Sequence, residues 1–175
     1  LCNGVNDLGD STYPITLQNL SAIDFYNTEP AVRRPLTVDT KTGWMAVETV
    51  NATTNYNVWA GPVELKNADT VLSFLLPDSE GRKASVSGKI GGAGSIDLKD
   101  NYNYSPNSGR IYLTNPANDY SGSTAVHGQY GLGLTAAWPG SIPDFTKTTL
   151  DNARLTAAMP NWSRSDLLDF LHQAN

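Results

Sequence analysis

Gly94-Ser-Ile-Asp-Leu-Lys99 returns fifteen residues later in this chain as Gly109-Arg-Ile-Tyr-Leu-Thr114. In each copy apolar residues alternate with polar ones, which is the period of a strand with one buried and one exposed face. Each copy leads into an Asn-rich turn that ends in Tyr-Ser, at Tyr104-Ser105 and at Tyr120-Ser121. A strand-and-turn unit repeated at short period predicts coils that stack and bury their apolar faces against one another.

Strand patterns of the same kind continue on both sides of this stretch. They fall at 13–17, 36–38, 44–50, 56–59, 63–65, 70–76, 84–90, 95–98, 110–114, 123–127, 130–134 and 148–155. The helix signal is at the C-terminus, where Ser163 can cap a segment with an apolar stripe. We therefore predict one β-rich domain over 1–175. It has an irregular N-terminal section at 1–35, a strand stack at 36–160 and a terminal helix at 163–174.

The fold class predicted from these patterns is all-β, namely a parallel β-helix (a solenoid) with one C-terminal helix. A β-sandwich or jelly roll is the alternative, because short strands separated by turns at regular spacing also describe those folds.

The charge balance and composition exclude several classes of partner. The 175 residues carry 17 acidic and 12 basic side chains, a net charge of -5, with no basic cluster larger than Arg33-Arg34. Nucleic acid is therefore not an expected partner. No apolar run approaches the ~20 residues that span a bilayer, so we expect no membrane insertion by this chain. Cys2 is the only cysteine and cannot form a disulfide within the chain.

Three segments carry a family resemblance. Ser87-Gly-Lys-Ile-Gly-Gly-Ala-Gly94 looks like a Gly-rich step before a strand, and 109–126 looks like a strand, an Asn-rich turn and a following strand. Val58-Trp-Ala-Gly-Pro-Val-Glu-Leu65 is similar to an upstream Trp-x-Gly-Pro segment. Over about residues 56–140 the chain thus resembles the autotransporter-associated β-strand repeat of bacterial passenger domains and large secreted surface proteins.

This resemblance implies a right-handed parallel β-helix that is secreted or displayed on the outer surface of a Gram-negative-type envelope. It implies no shared active site. The ten residues 99–108 interrupt the spacing of the family and can be an insertion within a single phrase. In that case the two copies of the opening stretch belong to one coil and not to two.

The function that we expect is that of a secreted or surface-displayed bacterial scaffold or adhesion module that contacts host or extracellular glycans and glycoproteins. Exposed aromatic rings can stack on sugar rings. The tyrosines of the turn phrases are therefore the candidate ligand-binding residues, namely Tyr102, Tyr104 and Tyr120. Tyr102 and Tyr104 come first, because Tyr120 can instead pack across its corner.

An enzymatic function stays open at this point. The alternative is a secreted hydrolase, in particular an aspartic-type protease that acts on extracellular glycoproteins such as mucin. Leu36-Thr-Val-Asp39-Thr-Lys-Thr-Gly43 approaches the Asp-Thr-Gly loop of that class, although its glycine stands two residues late. Asp39 is the candidate catalytic residue, and it would need a second carboxylate to share a proton. A third possibility is a polysaccharide-active β-helix, but the spacing identifies no carboxylate pair.

The sequence predicts no metal site and no cofactor. Two widely separated histidines and one cysteine cannot build a familiar zinc site. Asp97-Leu-Lys-Asp100-Asn101 lacks the spacing of a calcium loop and predicts a solvated turn. We assign His127 to a strand-end corner and His172 to the terminal helix. The sequence does not specify an oligomeric state.

Overall fold

The computed structural model of the protein describes residues 2–3, 8, 12–26, 31–48, 57–76, 83–100, 110–127, 133–144, 146–151 and 153–157. In chain order the strands in these ranges are β1 (Cys2–Asn3), β2 (Ile15–Leu17), β3 (Ala22–Tyr26), β4 (Leu36–Val38), β5 (Gly43–Glu48), β6 (Asn57–Trp59), β7 (Val63–Leu65), β8 (Val71–Leu76), β9 (Lys83–Val86), β10 (Ile90–Gly92), β11 (Ser95–Asp100), β12 (Arg110–Leu113), β13 (Thr124–His127), β14 (Gly133–Ala136), β15 (Thr148–Asp151) and β16 (Arg154–Ala157).

These strands form three sheets. Sheet 1 has the order β1-β3-β5-β8-β11-β13-β15, sheet 2 the order β10-β7-β4-β2, and sheet 3 the order β16-β14-β12-β9-β6. Every pairing between the described strands is parallel.

The chain visits sheet 2, sheet 1 and sheet 3 in turn, so each circuit stacks on the one before. Leu36, Val63 and Ile90 begin β4, β7 and β10 and are Cα partners on successive coils. About four such turns form a β-solenoid, which confirms the predicted fold class. The alternative β-sandwich or jelly roll is wrong, because those folds are built from antiparallel strands.

The core lies inside the coil, where inward side chains of successive strands form rows. Leu72, Ile96 and Thr124 are Cα partners across β8, β11 and β13, and all three are fully buried. The alternation in the two copies of the opening stretch predicted that Ile96, Leu98, Ile111 and Leu113 point inward. All four are 0% exposed, so this prediction is confirmed.

The two copies of the opening stretch do not stack on each other. The first copy is β11 in sheet 1 and the second is β12 in sheet 3, on two sides of the same coil. The stacked partner of Gly94-Ser95 is Gly122-Ser123, where Gly122 N donates to Gly94 O at 3.0 Å and Ser123 N to Ser95 Oγ at 2.9 Å. The interpretation as stacked coils at a period of fifteen residues is therefore wrong, and the single-coil alternative is correct.

The N-terminal part of the chain departs from the predicted organisation. The section 1–35, expected to be irregular apart from one strand, contains β1, β2 and β3, and both β2 and β3 pair into the solenoid. The predicted helix at 163–174 lies outside the described residues. Within the described ranges, no helix has the length and apolar character to cross a membrane.

Candidate functional site

An open groove crosses the outer face of sheet 2 and has a volume of about 570 Å³. Two rows of residues line it, and in each row successive residues come from successive coils. The first row consists of Pro14, Pro35, Pro62 and Lys89. The second row consists of Thr37, Glu64, Gly91 and Asp119.

The first row stands immediately before the strands of sheet 2. A proline has no N–H to give to a ladder, but its carbonyl still accepts, so the start of a strand suits it. Pro35 O accepts the N–H of Ile15 at 2.8 Å, and Pro62 O accepts that of Leu36 at 2.9 Å. On the next coil Lys89 takes the same position. The groove therefore has a rigid wall of proline rings that ends in an ammonium group.

The second row is made by the outward residues of the strands themselves. Thr37, Glu64 and Gly91 are Cα partners on β4, β7 and β10. The Thr37 hydroxyl donates to Glu64 Oε2 at 3.5 Å, a long contact between side chains that face the groove. Gly91 has no side chain, and it therefore leaves a gap in the row beside Glu64.

Asp119 reaches into this gap from the coil after β10. Its backbone N donates to Ile90 O at 3.0 Å, which continues the stacking of sheet 2 beyond its last strand. Its side chain turns back, so that Oδ2 lies 2.6 Å from Lys89 Nζ. A Cβ atom on Gly91 would lie 2.6 Å from Asp119 Oδ1. The carboxylate thus occupies the space that a side chain at position 91 would need.

The buried side chain of Asn118 fixes the backbone from which Asp119 extends. Its Oδ1 accepts the N–H of Ile90 at 2.8 Å, and its Nδ2 donates to Ser141 O at 2.7 Å. This amide takes the place of a strand hydrogen bond and connects three successive coils. Asp119 is consequently held by a corner in which the polar groups are hydrogen-bonded.

Asp39, the predicted catalytic residue, follows β4 on the same outer face and is not among the residues that line the groove. Its carboxylate accepts from Lys66 Nζ at 2.8 Å, Asn67 Nδ2 at 3.1 Å and Gln18 Nε2 at 3.4 Å. The hydrogen bond from Lys66 is the main cause that holds the pKa of Asp39 below its ordinary value. These contacts are with nitrogen donors, whereas the protease chemistry needs a second carboxylate sharing a proton. In this surrounding Asp39 acts as a link between coils.

The three tyrosines predicted to bind a ligand fall into two groups. Tyr102 and Tyr104 lie outside the described residues. Tyr120 is 0% exposed, and its hydroxyl is 2.7 Å from Thr124 Oγ1. Burial raises the pKa of this hydroxyl. The prediction that Tyr120 presents its ring to a ligand is wrong, because the apolar ring fills the interior of a corner.

A second polar cluster lies on the outer face of sheet 1. His127 ends β13, as expected, with Nε2 3.8 Å from Asp97 Oδ1 and Nδ1 3.5 Å from Asp151 Oδ2. Lys99 Nζ is 2.8 Å from Asp97 Oδ2. Asp97 is only 7% exposed and belongs to β11, so the solvated turn predicted for 97–101 is wrong at this residue. His127 of β13 thus lies between a carboxylate of β11 and a carboxylate of β15.

The described part of the chain contains no group of three or more His, Cys, Asp or Glu side chains that could hold a metal ion. His172 lies outside that part. The residues of the groove were missed at the sequence level, although a signal was present. Pro14-Ile-Thr-Leu17, Pro35-Leu-Thr-Val38 and Pro62-Val-Glu-Leu65 repeat one pattern, and each segment is a proline followed by a strand of sheet 2.

Comparison with known proteins found no family model, no curated protein and no solved structure that matches this chain.

Proposed function

We propose that the protein binds an extended, uncharged β-1,4-linked glycan in the groove over sheet 2. The observation that carries this proposal is the repetition of the lining, in which coil after coil presents one residue of each row. Successive coils are ~4.8 Å apart, the spacing of strands in a sheet. The advance per sugar in an extended β-1,4-linked chain is close to this distance. Successive sugars can therefore meet equivalent positions on successive coils.

The lining also suits the chemistry of sugars. Proline rings offer C–H surface to the apolar face of a pyranose ring. Thr37, Glu64, Lys89 and Asp119 offer donors and acceptors to its hydroxyl groups. This combination of an apolar wall and a polar row is what a sugar, apolar on its faces and polar at its edges, requires.

The charges of the groove favour an uncharged glycan. Glu64 and Asp119 contribute two carboxylates and Lys89 one ammonium group, and the whole chain has a net charge of -5. A sulfated or uronate-rich polymer would meet repulsion from both the groove and the surrounding surface.

The position of the groove disfavours an extended peptide as the ligand. Domains that bind such peptides commonly pair them with the free edge of a sheet through backbone hydrogen bonds. This groove lies on the face of sheet 2, between β2 and β10, where the neighbouring strands pair with each other. A ligand on that face has to be recognised by side chains.

We place this activity outside the cell, with the chain secreted or displayed on a bacterial surface as an adhesion or scaffold unit. Two observations support this placement: a composition in which only 17% of residues are charged, and the resemblance to autotransporter-associated repeats. Mass spectrometry of culture medium and of peptides shaved from intact cells of the source organism checks it. Recovery from the cytoplasmic fraction alone would contradict it.

Calorimetric titration tests the binding proposal. The probes are neutral hexasaccharides (cello-, manno-, xylo- and N-acetylchitohexaose), with hexamannuronate, which is also β-1,4-linked, as the charged comparison. We expect at least one neutral hexasaccharide to bind and hexamannuronate to bind at least about tenfold more weakly, since 1.4 kcal/mol corresponds to a factor of ten. The proposal fails if none of the neutral probes binds.

Two glycine variants locate the binding. Gly91→Ala puts a Cβ atom against Asp119 inside the groove, and we expect it to weaken binding about tenfold. Gly133→Ala is the matched control, because the atoms nearest to its Cβ atom would be those of the Arg110 side chain, on sheet 3. Equal affinity of Gly91→Ala and the unmodified protein would place the ligand elsewhere.

A further inference from the structure

We propose that the groove also hydrolyses the glycan that it holds, with Glu64 as the general acid and Asp119 as the general base. This inference rests on the proposed function, because it requires a glycan in the groove. It concerns the two carboxylates of the second row and the gap at Gly91 between them.

The separation of the two carboxylates is suitable for this reaction. Glu64 and Gly91 are Cα partners on neighbouring strands. Asp119 Oδ1 lies over Gly91, whereas Glu64 Oε2 turns away from it, towards Thr37. The two groups are therefore one to two strand spacings apart, roughly 5–10 Å. Glycoside hydrolases that act by direct displacement place their two carboxyl groups ~6.5–9.5 Å apart.

The two glycines at the floor of the groove have different reasons to be glycine. Gly92 has a φ of 104°, and a Cβ atom there would lie 2.2 Å from Leu65 O, so its backbone position requires glycine. Gly91 has neither constraint. The atoms nearest to a Cβ atom at Gly91 would be side-chain atoms, namely those of Asp119 and Lys89. The missing side chain at position 91 thus makes room for the Asp119 carboxylate.

The surroundings of the two carboxylates distinguish their roles. Lys89 Nζ lies 2.6 Å from Asp119 Oδ2 and holds this carboxylate over Gly91, where it can take a proton from a water molecule. Among the described residues no ion pair reaches Glu64, and its side-chain contact is with the Thr37 hydroxyl at 3.5 Å. Glu64 is the other carboxyl group of the second row, and the role left to it is the transfer of a proton to the leaving oxygen.

The reaction is a hydrolysis by direct displacement. A water molecule beside Asp119 forms a bond from its oxygen to the anomeric carbon and gives a proton to the Asp119 carboxylate. The bond between the anomeric carbon and the bridging oxygen breaks, and that oxygen takes the proton of Glu64. Two shorter glycans leave, and exchange of one proton with solvent at each carboxylate restores the starting state.

The experiment measures binding and cleavage on the same ligand. A neutral hexasaccharide that binds in calorimetry is incubated with the protein in water enriched in oxygen-18. Products are followed by reducing-end assay and mass spectrometry. We expect shorter oligosaccharides that carry one oxygen-18 at the new reducing end.

Three variants assign the roles. Glu64→Gln and Asp119→Asn are each expected to lower the rate by about 100-fold or more, the usual contribution of a general acid or base. Glu64→Gln is expected to keep its affinity within about threefold, because an amide preserves shape. Asp69→Asn is the control and should leave the rate unchanged, because Asp69 pairs with Lys41 outside the groove.

The possible outcomes separate this inference from the binding proposal. Binding without release of products overturns the inference and leaves the glycan-binding function in place. Cleavage that Glu64→Gln and Asp119→Asn both retain also overturns it. Absence of binding overturns the proposed function and this inference with it. Thermal unfolding of each variant shows that the fold is intact before rates are compared.

Discussion

Asp119 bridges two coils of the solenoid through Lys89, with Oδ2 of the carboxylate 2.6 Å from Nζ of the amine. The bond turns the carboxylate back over Gly91 and into the groove of sheet 2. Both side chains are about half exposed, so water weakens the attraction between them. The pair therefore contributes more to the shape of the groove than to the stability of the coil.

Lys89→Met should separate these two effects. We expect the free energy of unfolding to fall by less than about 1 kcal/mol, as for other exposed ion pairs. Glycan affinity should fall severalfold, because Asp119 loses the contact that directs it. Urea unfolding and calorimetric titration measure the two quantities. Lys41→Met, which removes a pair 3.7 Å apart outside the groove, should change neither by much, and a matching loss of affinity there would argue against the groove.

Asn118→Ala is expected to destabilise the protein strongly. The change leaves the N–H of Ile90 and the carbonyl of Ser141 without their partner in a buried corner. Each unsatisfied group costs about 1–3 kcal/mol, so for the two groups we expect a loss of about 2–6 kcal/mol in the free energy of unfolding. Asn115→Ala is the matched control. Its amide also connects neighbouring turns, but in an exposed position, so urea unfolding should give a clearly smaller loss.

Tyr120→Phe should lower stability without changing glycan binding. The ring stays buried, whereas the hydroxyl contact with Thr124 Oγ1 is lost, at a cost of about 1 kcal/mol. Urea unfolding measures the loss, and calorimetry with the hexasaccharide measures affinity. A drop in affinity with unchanged stability would restore Tyr120 as a ligand-binding residue.

The pair of Asp39 and Lys66 predicts a specific dependence of stability on pH. The pKa of Asp39 is held below 3.8 by the hydrogen bond from Lys66, so its contribution is present above that value and is lost as pH falls through the folded-state pKa. The pKa of Lys66 is raised above 10.5 by Asp39, so its contribution is present below that value and is lost as pH rises further.

Asp39→Asn removes both contributions. The melting temperature of the variant should change less than that of the unmodified protein between pH 5 and pH 2, and the two curves should differ most near neutral pH. If the melting temperatures of the two proteins ran parallel over the whole acidic range, the ion pair of Asp39 with Lys66 would contribute nothing to stability. Peptide cleavage that disappears in this variant would instead revive the protease alternative.

The strands of the solenoid could be predicted from the sequence, but its period could not be read from the most visible repeat. Alternation placed Ile96, Leu98, Ile111 and Leu113 correctly, because each strand obeys the same two-residue period wherever it lies. The two copies of the opening stretch lie on two sides of one coil. They are alike because each side of the coil needs a strand with an inward apolar face. The coil period is marked instead by the prolines before β2, β4 and β7.

The groove and its Glu64 were within reach of the sequence, whereas the contribution of Asp119 was not. The proline pattern ends at Lys89-Ile-Gly-Gly92, which marks the place where the outward row loses its side chain. Asp119 joins that row only because the amide of Asn118 replaces a strand hydrogen bond after β12. The lengths of the loops between coils decide whether Asp119 reaches this row. The alternation of apolar and polar residues within a strand carries no information about that.

The most direct test of the central claim maps the glycan onto the solenoid. In a ¹⁵N-labelled sample of the Glu64→Gln variant, which should bind without cleaving, a neutral β-1,4-linked hexasaccharide is titrated and backbone amide shifts are followed. The account predicts the largest changes at Thr37, Gly91 and Asp119, along the groove of sheet 2. Changes confined to the outer face of sheet 1, around Ala125 and His127, would contradict it.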